Sequence, residues 1–300
     1  MKAIITGATG MVGIALVKEL LQSNHNVIAI VRPNSKNYYK LPNSKNLSVI
    51  ECELADLKSI ANISADVFFH IAWDGVYGVR RDDPIVQKNN IDYTFDAIDL
   101  AKKSNCRRFV FAGSQAELGK QLCDIGCNNI PNPTMNYGMA KLFCNKLGKN
   151  YAQSLGLHYN SGRILSTYGE NDASTTLIST LISTLLEDKE ILLSDCEHIW
   201  DYINVTDVAK AFIAIGTKGV DGKLYPIGKG ECKKLKYYTE TIYNIIKKGK
   251  IVYGSPLPSN AVTYLNADIT ELSKDTGFFP QISFEEGIIN LINNYSRRYL

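Results

Sequence analysis

The stretch AIITGATGMVG, residues 3 to 13, constrains the fold more than any other part of the chain. A short aliphatic run breaks into Gly7-x-x-Gly10-x-x-Gly13 and continues with apolar residues at helical spacing. Glycine has no Cβ and tolerates positive φ. Gly7 therefore permits a tight strand-to-helix turn, Gly10 a close approach of backbone to a diphosphate, and Gly13 close packing of helix on strand. The free amides of the turn and of the first helical turn, around Thr9, Met11 and Val12, then face the anion. The spacing differs from the Gly-x-Gly-x-x-Gly of the common dinucleotide fingerprint. The turn gains its meaning from context, after a strand and before a helix.

The rest of the first half repeats that alternation. Ala3–Thr6, Val27–Val31, Leu47–Glu51, Val67–His70 and Arg108–Ala112 read as buried strands. Met11–Gln22 and Pro84–Lys103 read as helices between them, the second with Pro in its first turn. A helix over Tyr137–Leu155 and a strand over His158–Leu165 continue the rhythm. Strands alternating with helices imply parallel strands joined by right-handed crossovers, hence a doubly wound α/β sheet. After Tyr168 the pattern loosens into a helix over Ser174–Leu186, a strand over His198–Val205 and a helix over Thr206–Ile215. The expected division is a dinucleotide-binding part over 1–167 plus about 201–227, with a smaller substrate-binding part over 168–200 and 228–300.

Composition excludes several classes. The net charge of +3 comes with no dense basic stripe, so no nucleic-acid partner is expected. No apolar run reaches the ~18 residues of a membrane span. The first residues carry none of the features of a signal peptide. The seven scattered cysteines suit a reducing, cytoplasmic setting. Cys123 and Cys127 are the only close pair; zinc needs about four ligands, so no metal is expected.

The end of the second strand selects the cofactor. In IAIVRPNSK, Val31 stands where a ribose-binding acid usually stands, and Arg32 follows. A carboxylate repels a 2′-phosphate, whereas a guanidinium binds it with two hydrogen bonds. NADP(H) is the expected cofactor, with Ser35 and Lys36 as helpers and NAD as the alternative.

In NYGMAK, Tyr137 and Lys141 are four residues apart and share one face of a helix. A nearby ammonium favours the phenolate, and so does the positive nicotinamide of an oxidised cofactor, so both are expected to lower the Tyr137 pKa and make it a general acid/base for an alcohol/carbonyl pair. Ser114, directly after the fifth strand, can hydrogen-bond the reacting oxygen.

The glycine turn, Ser114 and Tyr137-x-x-x-Lys141, in this order and at these separations, resemble the extended short-chain dehydrogenase/reductases, and most closely their nucleotide-sugar epimerase/dehydratase/reductase group. The likeness runs through most of the chain. VIECELAD resembles the segment that reaches the adenine, with Glu53 for the usual Asp and Leu54 beside it. FFHIAW resembles the strand-4 motif near the cofactor ribose, which places Ile71 and Ala72 there. Asn90 matches an asparagine of the next helix, and Ile164 lies in SGRILSTYG, which resembles the segment passing the nicotinamide. WDYINVTDVAKAF, GKLYPIG and LNADITELSKDTGFFPQISFEEGI resemble later segments. The resemblance implies a Rossmann sheet, hydride transfer at a sugar carbon, Lys141 on the cofactor ribose, substrate contacts from Trp73, Gln115, Ser166 and Trp200, and a homodimer paired through the helices at 84–103 and 137–155.

Three positions depart from the group. The arginine that commonly precedes Asp-Tyr-Ile and grips the substrate diphosphate is Trp200, and a second arginine is missing from PLPSNAVTYLNAD. Ser166 replaces an asparagine. Lys229, Lys233 and His198 are candidates to replace the lost charge. Arg80-Arg81-Asp82-Asp83 reads as a solvated loop, in a region that borders the substrate pocket in the group. His70 reads as structural or adjacent to the cofactor. Arg32 favours an NADP(H)-dependent reductase of the 4-keto group of a nucleotide-linked deoxysugar. The alternative is a 4-epimerase with the same triad and retained cofactor. A third reading is a non-catalytic NADP(H)-sensing binding protein.

Overall fold

Aliphatic and aromatic residues at successive positions form strands buried on both faces, as a parallel sheet requires. β1 Lys2–Thr6, β2 Asn26–Val31, β3 Leu47–Glu51, β4 Val67–His70, β5 Arg108–Ser114 and β6 His158–Ile164 alternate with α1 Met11–Gln22, α2 Pro84–Lys103, α3 Asn136–Phe143 and α4 Lys149–Ser154. They are followed by β7 Ser166–Tyr168, α5 Leu177–Leu186, β8 Glu190–Leu192, β9 Ile199–Trp200, β10 Tyr202–Asn204, α6 Val205–Lys218 and β11 Leu224–Ile227. β12 Lys233–Lys234, α7 Leu235–Ile246, β13 Lys250–Val252, α8 Thr270–Thr276 and α9 Phe284–Ser296 complete the described elements. The computed structural model describes residues 1–255 and 263–296.

The main sheet has seven strands in the order β11-β6-β5-β4-β1-β2-β3, every neighbouring pair parallel. Chain direction across the sheet reverses between β1 and β4, the switch point at which such folds bind ligands. Side chains alternate between two cores with the strand period of two. Ala3, Ile5, Val27, Ala29, Val67, Phe69 and Val110 pack with α1 and α6 on one face. Ile4, Ile28, Ile30, Phe68, Phe109 and Phe111 pack with α2 and with Cys144, Ala152 and Tyr159 on the other. Rings of Phe68, Phe109 and Tyr159 stack across β4, β5 and β6 with centroids 5.5 and 5.9 Å apart. A third core joins Tyr168 to residues of α5, α7 and α9.

Two long expected elements are interrupted, each at a buried polar group. The helix at 136–154 contains a π turn, Cys144–Gly148, between α3 and α4. Asn145 lies in that turn, fully buried, donating to Glu117 Oε2 at 2.6 Å and accepting from the Tyr159 hydroxyl at 3.2 Å. The strand expected over 198–205 divides into β9 and β10 at Asp201. The buried Asp201 carboxylate accepts the backbone amides of Lys229 at 2.7 Å and of Gly230 and Ala267 at 3.0 Å.

Candidate active site

The glycine turn is packed to the limit of what backbone allows. Gly7 has φ +71°, and a Cβ there would lie 2.6 Å from the Ala72 amide nitrogen. A Cβ on Gly13 would lie 2.0 Å from the Gly7 carbonyl oxygen. The first bonded amide of α1 is Ile14 to the Gly10 carbonyl, at 2.8 Å. The amides of the preceding helical residues therefore have no partner within the helix, and Met11, Val12 and Gly13 line a cavity of about 1270 Å³. That donor set, with a positive helix end behind it, fits a dinucleotide diphosphate.

The cavity runs along the carboxyl ends of β1, β2, β4, β5 and β6 and reaches the β9 and β10 residues Trp200 and Tyr202. Gly7, Thr9, Gly10, Arg32, Glu53, Leu54, Ile71, Ala72 and Ile164 lie on its wall. So do Ser114, Tyr137, Lys141, Trp73, Gln115, Ser166 and Trp200. Asn90 does not. It is buried on α2, where it accepts the Asp74 amide at 2.8 Å and donates to the Asp74 and Val86 carbonyls at 2.9 and 3.0 Å. It braces the loop behind the wall. Lys229, Lys233 and His198 are also off the wall: Lys229 donates to the Pro280 carbonyl at 3.2 Å, and His198 Nδ1 accepts the Thr263 amide at 2.9 Å. Of the stretch PLPSNAVTYLNAD, residues 256–262 lie outside the described residues.

Arg32 is exposed at the end of β2 with Lys36 beside the same cavity. The loop that carries them is tied to the glycine turn: Ser35 Oγ donates to Thr9 Oγ1 at 2.9 Å, and Asn37 Nδ2 to the Thr9 carbonyl at 3.3 Å.

At the end of the cavity where Ser114, Tyr137 and Lys141 meet, Ser114 is the last residue of β5 rather than the first after it. Its hydroxyl accepts the Ala116 amide at 3.2 Å and sits close enough to the Tyr137 phenol to favour its charged form. Lys141 is 3% exposed; its ammonium donates to the Ala112 carbonyl at 2.7 Å and stands 5.8 Å from the centre of the Tyr137 ring. Burial pushes Lys141 down to about 7. Burial also raises Tyr137 above the usual phenol value, outweighing the Ser114 hydrogen bond and the charge of Arg81. The expectation that Lys141 lowers the phenol is thus not met; one low-dielectric site penalises both charged forms. His70 is a core residue, bonded through Nδ1 to Thr6 Oγ1 at 2.9 Å and pushed down to about 3 by burial, so it stays neutral.

Two residues beside the triad carry no motif. Glu117, off the wall, is fully buried and accepts the Ser114 amide at 2.8 Å, Asn145, and Arg163 Nη2 at 3.0 Å. Arg163 is itself 2% exposed. Arg81, from the expected solvated loop, lines the cavity with its guanidinium carbon 4.7 Å from the centre of the Tyr137 ring. The resemblance set this run beside the pocket, but nothing in the sequence singled out which of its four charges reaches the cavity.

A switch-point cavity that starts at a glycine turn and ends at Ser, Tyr and Lys defines an enzyme of the extended short-chain dehydrogenase/reductase class. The chain belongs to the NAD dependent epimerase/dehydratase family, whose model matches residues 3–228. Over its whole length it is 27% identical to 99% of a Bacillus subtilis (strain 168) protein described as an uncharacterized UDP-glucose epimerase. It is 24% identical to an Escherichia coli dTDP-4-dehydro-6-deoxyglucose reductase, over 97% of this chain and 96% of that one. The fold matches a UDP-glucose 4-epimerase from Thermotoga maritima, solved with UDP-glucose, at a TM-score of 0.87 and 21% identity over 100% of both chains. No helix among the described residues is long and apolar enough to cross a membrane.

Proposed function

We propose that the chain is an NADP(H)-dependent reductase of the 4-keto group of a nucleotide-linked deoxysugar. The observation that carries this reading is the placement of Arg32: an exposed guanidinium at the adenine-ribose end of the cavity, where NAD enzymes of this fold carry an acid. The diphosphate rests on the amides of Thr9 to Gly13, and Glu53, Leu54, Ile71, Ala72 and Ile164 line the remaining cofactor path. When bound, the nicotinamide supplies the hydride. Tyr137 Oη delivers the proton to the sugar oxygen, Ser114 orients that oxygen and stabilises its developing charge, and Lys141 holds the ribose. Trp73, Gln115, Ser166 and Trp200 line the sugar end.

A 4-epimerase is the second reading. It is favoured by the full-length likeness to the Bacillus subtilis relative, described as a UDP-glucose epimerase. Incubating the protein with NADPH and a panel of nucleotide sugars and their 4-keto forms separates the two. Steady NADPH consumption is expected; an inverted hydroxyl without net consumption would replace the reductase reading by the epimerase one.

We also infer a homodimer. Met139, Phe143 and Leu147, four apart along the helix at 136–154, remain 49%, 41% and 45% exposed, an apolar stripe suited to a second copy. Light scattering at twice the monomer mass is the expected result; a monomer at micromolar concentration would remove the inference.

A further inference from the structure

The run Arg80-Arg81-Asp82-Asp83 brings four charges to the catalytic end of the cavity, and three of them are engaged within the protein. Arg80 pairs with Asp74. Asp82 Oδ1 accepts the Asn136 amide at 2.7 Å, and its carbonyl accepts Asn136 Nδ2 at 2.7 Å. Asp83 Oδ1 caps α2, accepting the amides of Ile85 at 2.9 Å and Val86 at 3.2 Å. Arg81 differs. No carboxylate among the described residues stands within ion-pair distance of its half-buried guanidinium, and its buried Nε has no acceptor. Its guanidinium lies over the face of the Tyr137 ring.

The placement is built. Gln87, 1% exposed, donates to the carbonyls of Gly75 and Arg80 at 3.2 and 3.0 Å and accepts the Trp73 indole N–H at 2.8 Å. The Asp82–Asn136 bonds fasten the segment to the start of α3, one residue before Tyr137. A ring face attracts a cation but satisfies none of its N–H donors, and the buried Nε of Arg81 is left without an acceptor. Such a group calls for an acceptor anion.

The geometry points to Arg81 as the residue that binds an oxyanion carried by the substrate, either a carboxylate on the sugar ring or a phosphate of the nucleotide diphosphate. The nucleotide-sugar reading above supplies only the molecule that carries this anion. The positive charge of Arg81 lies on the Tyr137 side of the cavity, next to the group to which the proposed function gives the proton.

Both tryptophans of the chain line the cavity, so intrinsic fluorescence reports on it. The test titrates the full chain, saturated with NADPH, with malonate at an ionic strength held constant with KCl. Malonate is expected to shift the emission and raise the Tm of the wild type, with a tenfold or larger loss of apparent affinity in Arg81→Met. Arg81→Lys, which keeps the charge, should restore part of it. Equal malonate responses in wild type and Arg81→Met would overturn the proposal. UDP, UDP-glucose and UDP-glucuronate then distinguish the sources. A loss confined to the glucuronate assigns the carboxylate, and an equal loss for all three assigns the phosphate. If none of the three binds wild type while malonate still does, the nucleotide-sugar reading fails and the anion site stands.

Discussion

The Lys141 ammonium lies 3.7 Å from the centre of the Trp73 indole ring while it donates to the Ala112 carbonyl. The ring face supports the cation at the cost of keeping water away from it. Burial wins, which is why Lys141 titrates near neutrality rather than at its usual value of 10.5.

That placement makes stability depend on pH with a definite sign. Between pH 7 and 10.5 the unfolded chain keeps a proton on this lysine that the folded chain has released. Stability therefore rises with pH across that window; below 7 the full cost of burying the ammonium is present and this group adds no slope. Denaturant unfolding of nucleotide-free protein should show wild type gaining on Lys141→Met between pH 7 and 9, by at most about 1.4 kcal/mol per pH unit. Parallel curves for the two proteins would contradict the buried-ammonium account.

Cofactor choice should reside in Arg32. Wild type is expected to bind NADPH more tightly than NADH, and Arg32→Asp to reverse the order, by about tenfold or more given the strength of guanidinium–phosphate bonds. Fluorescence titration with both nucleotides checks this. Equal wild-type affinities would remove the role given to Arg32.

Tyr137→Phe should keep cofactor affinity and lose turnover by about 10²–10⁴-fold, the usual worth of a positioned acid/base. The ring, and with it the Arg81 and Trp73 contacts, is preserved in this variant. Near-normal kcat in single-turnover experiments would assign the proton transfer elsewhere.

The Glu117–Arg163 pair is sealed from water on both sides, with side-chain exposures of 0% and 2%. Removing one partner strands the other. Arg163→Met is expected to cost about 3–5 kcal/mol, and Glu117→Gln combined with Arg163→Met much less. Unfolding midpoints give both numbers. An undiminished loss in the double variant would show that packing, not pairing, sets the cost.

Much of this architecture could be read from local pattern. Leu47–Glu51, Val67–His70, Met11–Gln22 and Pro84–Lys103 coincide with their elements because apolar periodicity and, for α2, Asp83-Pro84 capping are local properties. The Rossmann sheet follows from their alternation. The interruptions at Cys144–Gly148 and Asp201 were not legible, since each depends on partners far along the chain: Glu117 for Asn145, and residues 229, 230 and 267 for Asp201. Ser114, Tyr137 and Lys141 were legible from helix spacing and from their place after the fifth strand, and they share one cavity wall. Asn90 was found through family resemblance, yet its amide turns to the loop backbone. Arg81 was read only as part of a solvated run and Glu117 was given no structural role, because nothing local distinguishes a solvated charge from one placed by tertiary packing.

The Asp201 carboxylate has a mechanical consequence. Three amides drawn from two separate later stretches of chain converge on one side chain lying between Trp200 and Tyr202, both of which line the cavity. Distant loops are thereby riveted to the stretch of cavity wall that carries Trp200 and Tyr202, so that stretch moves with those loops, and its shape is set before any ligand arrives.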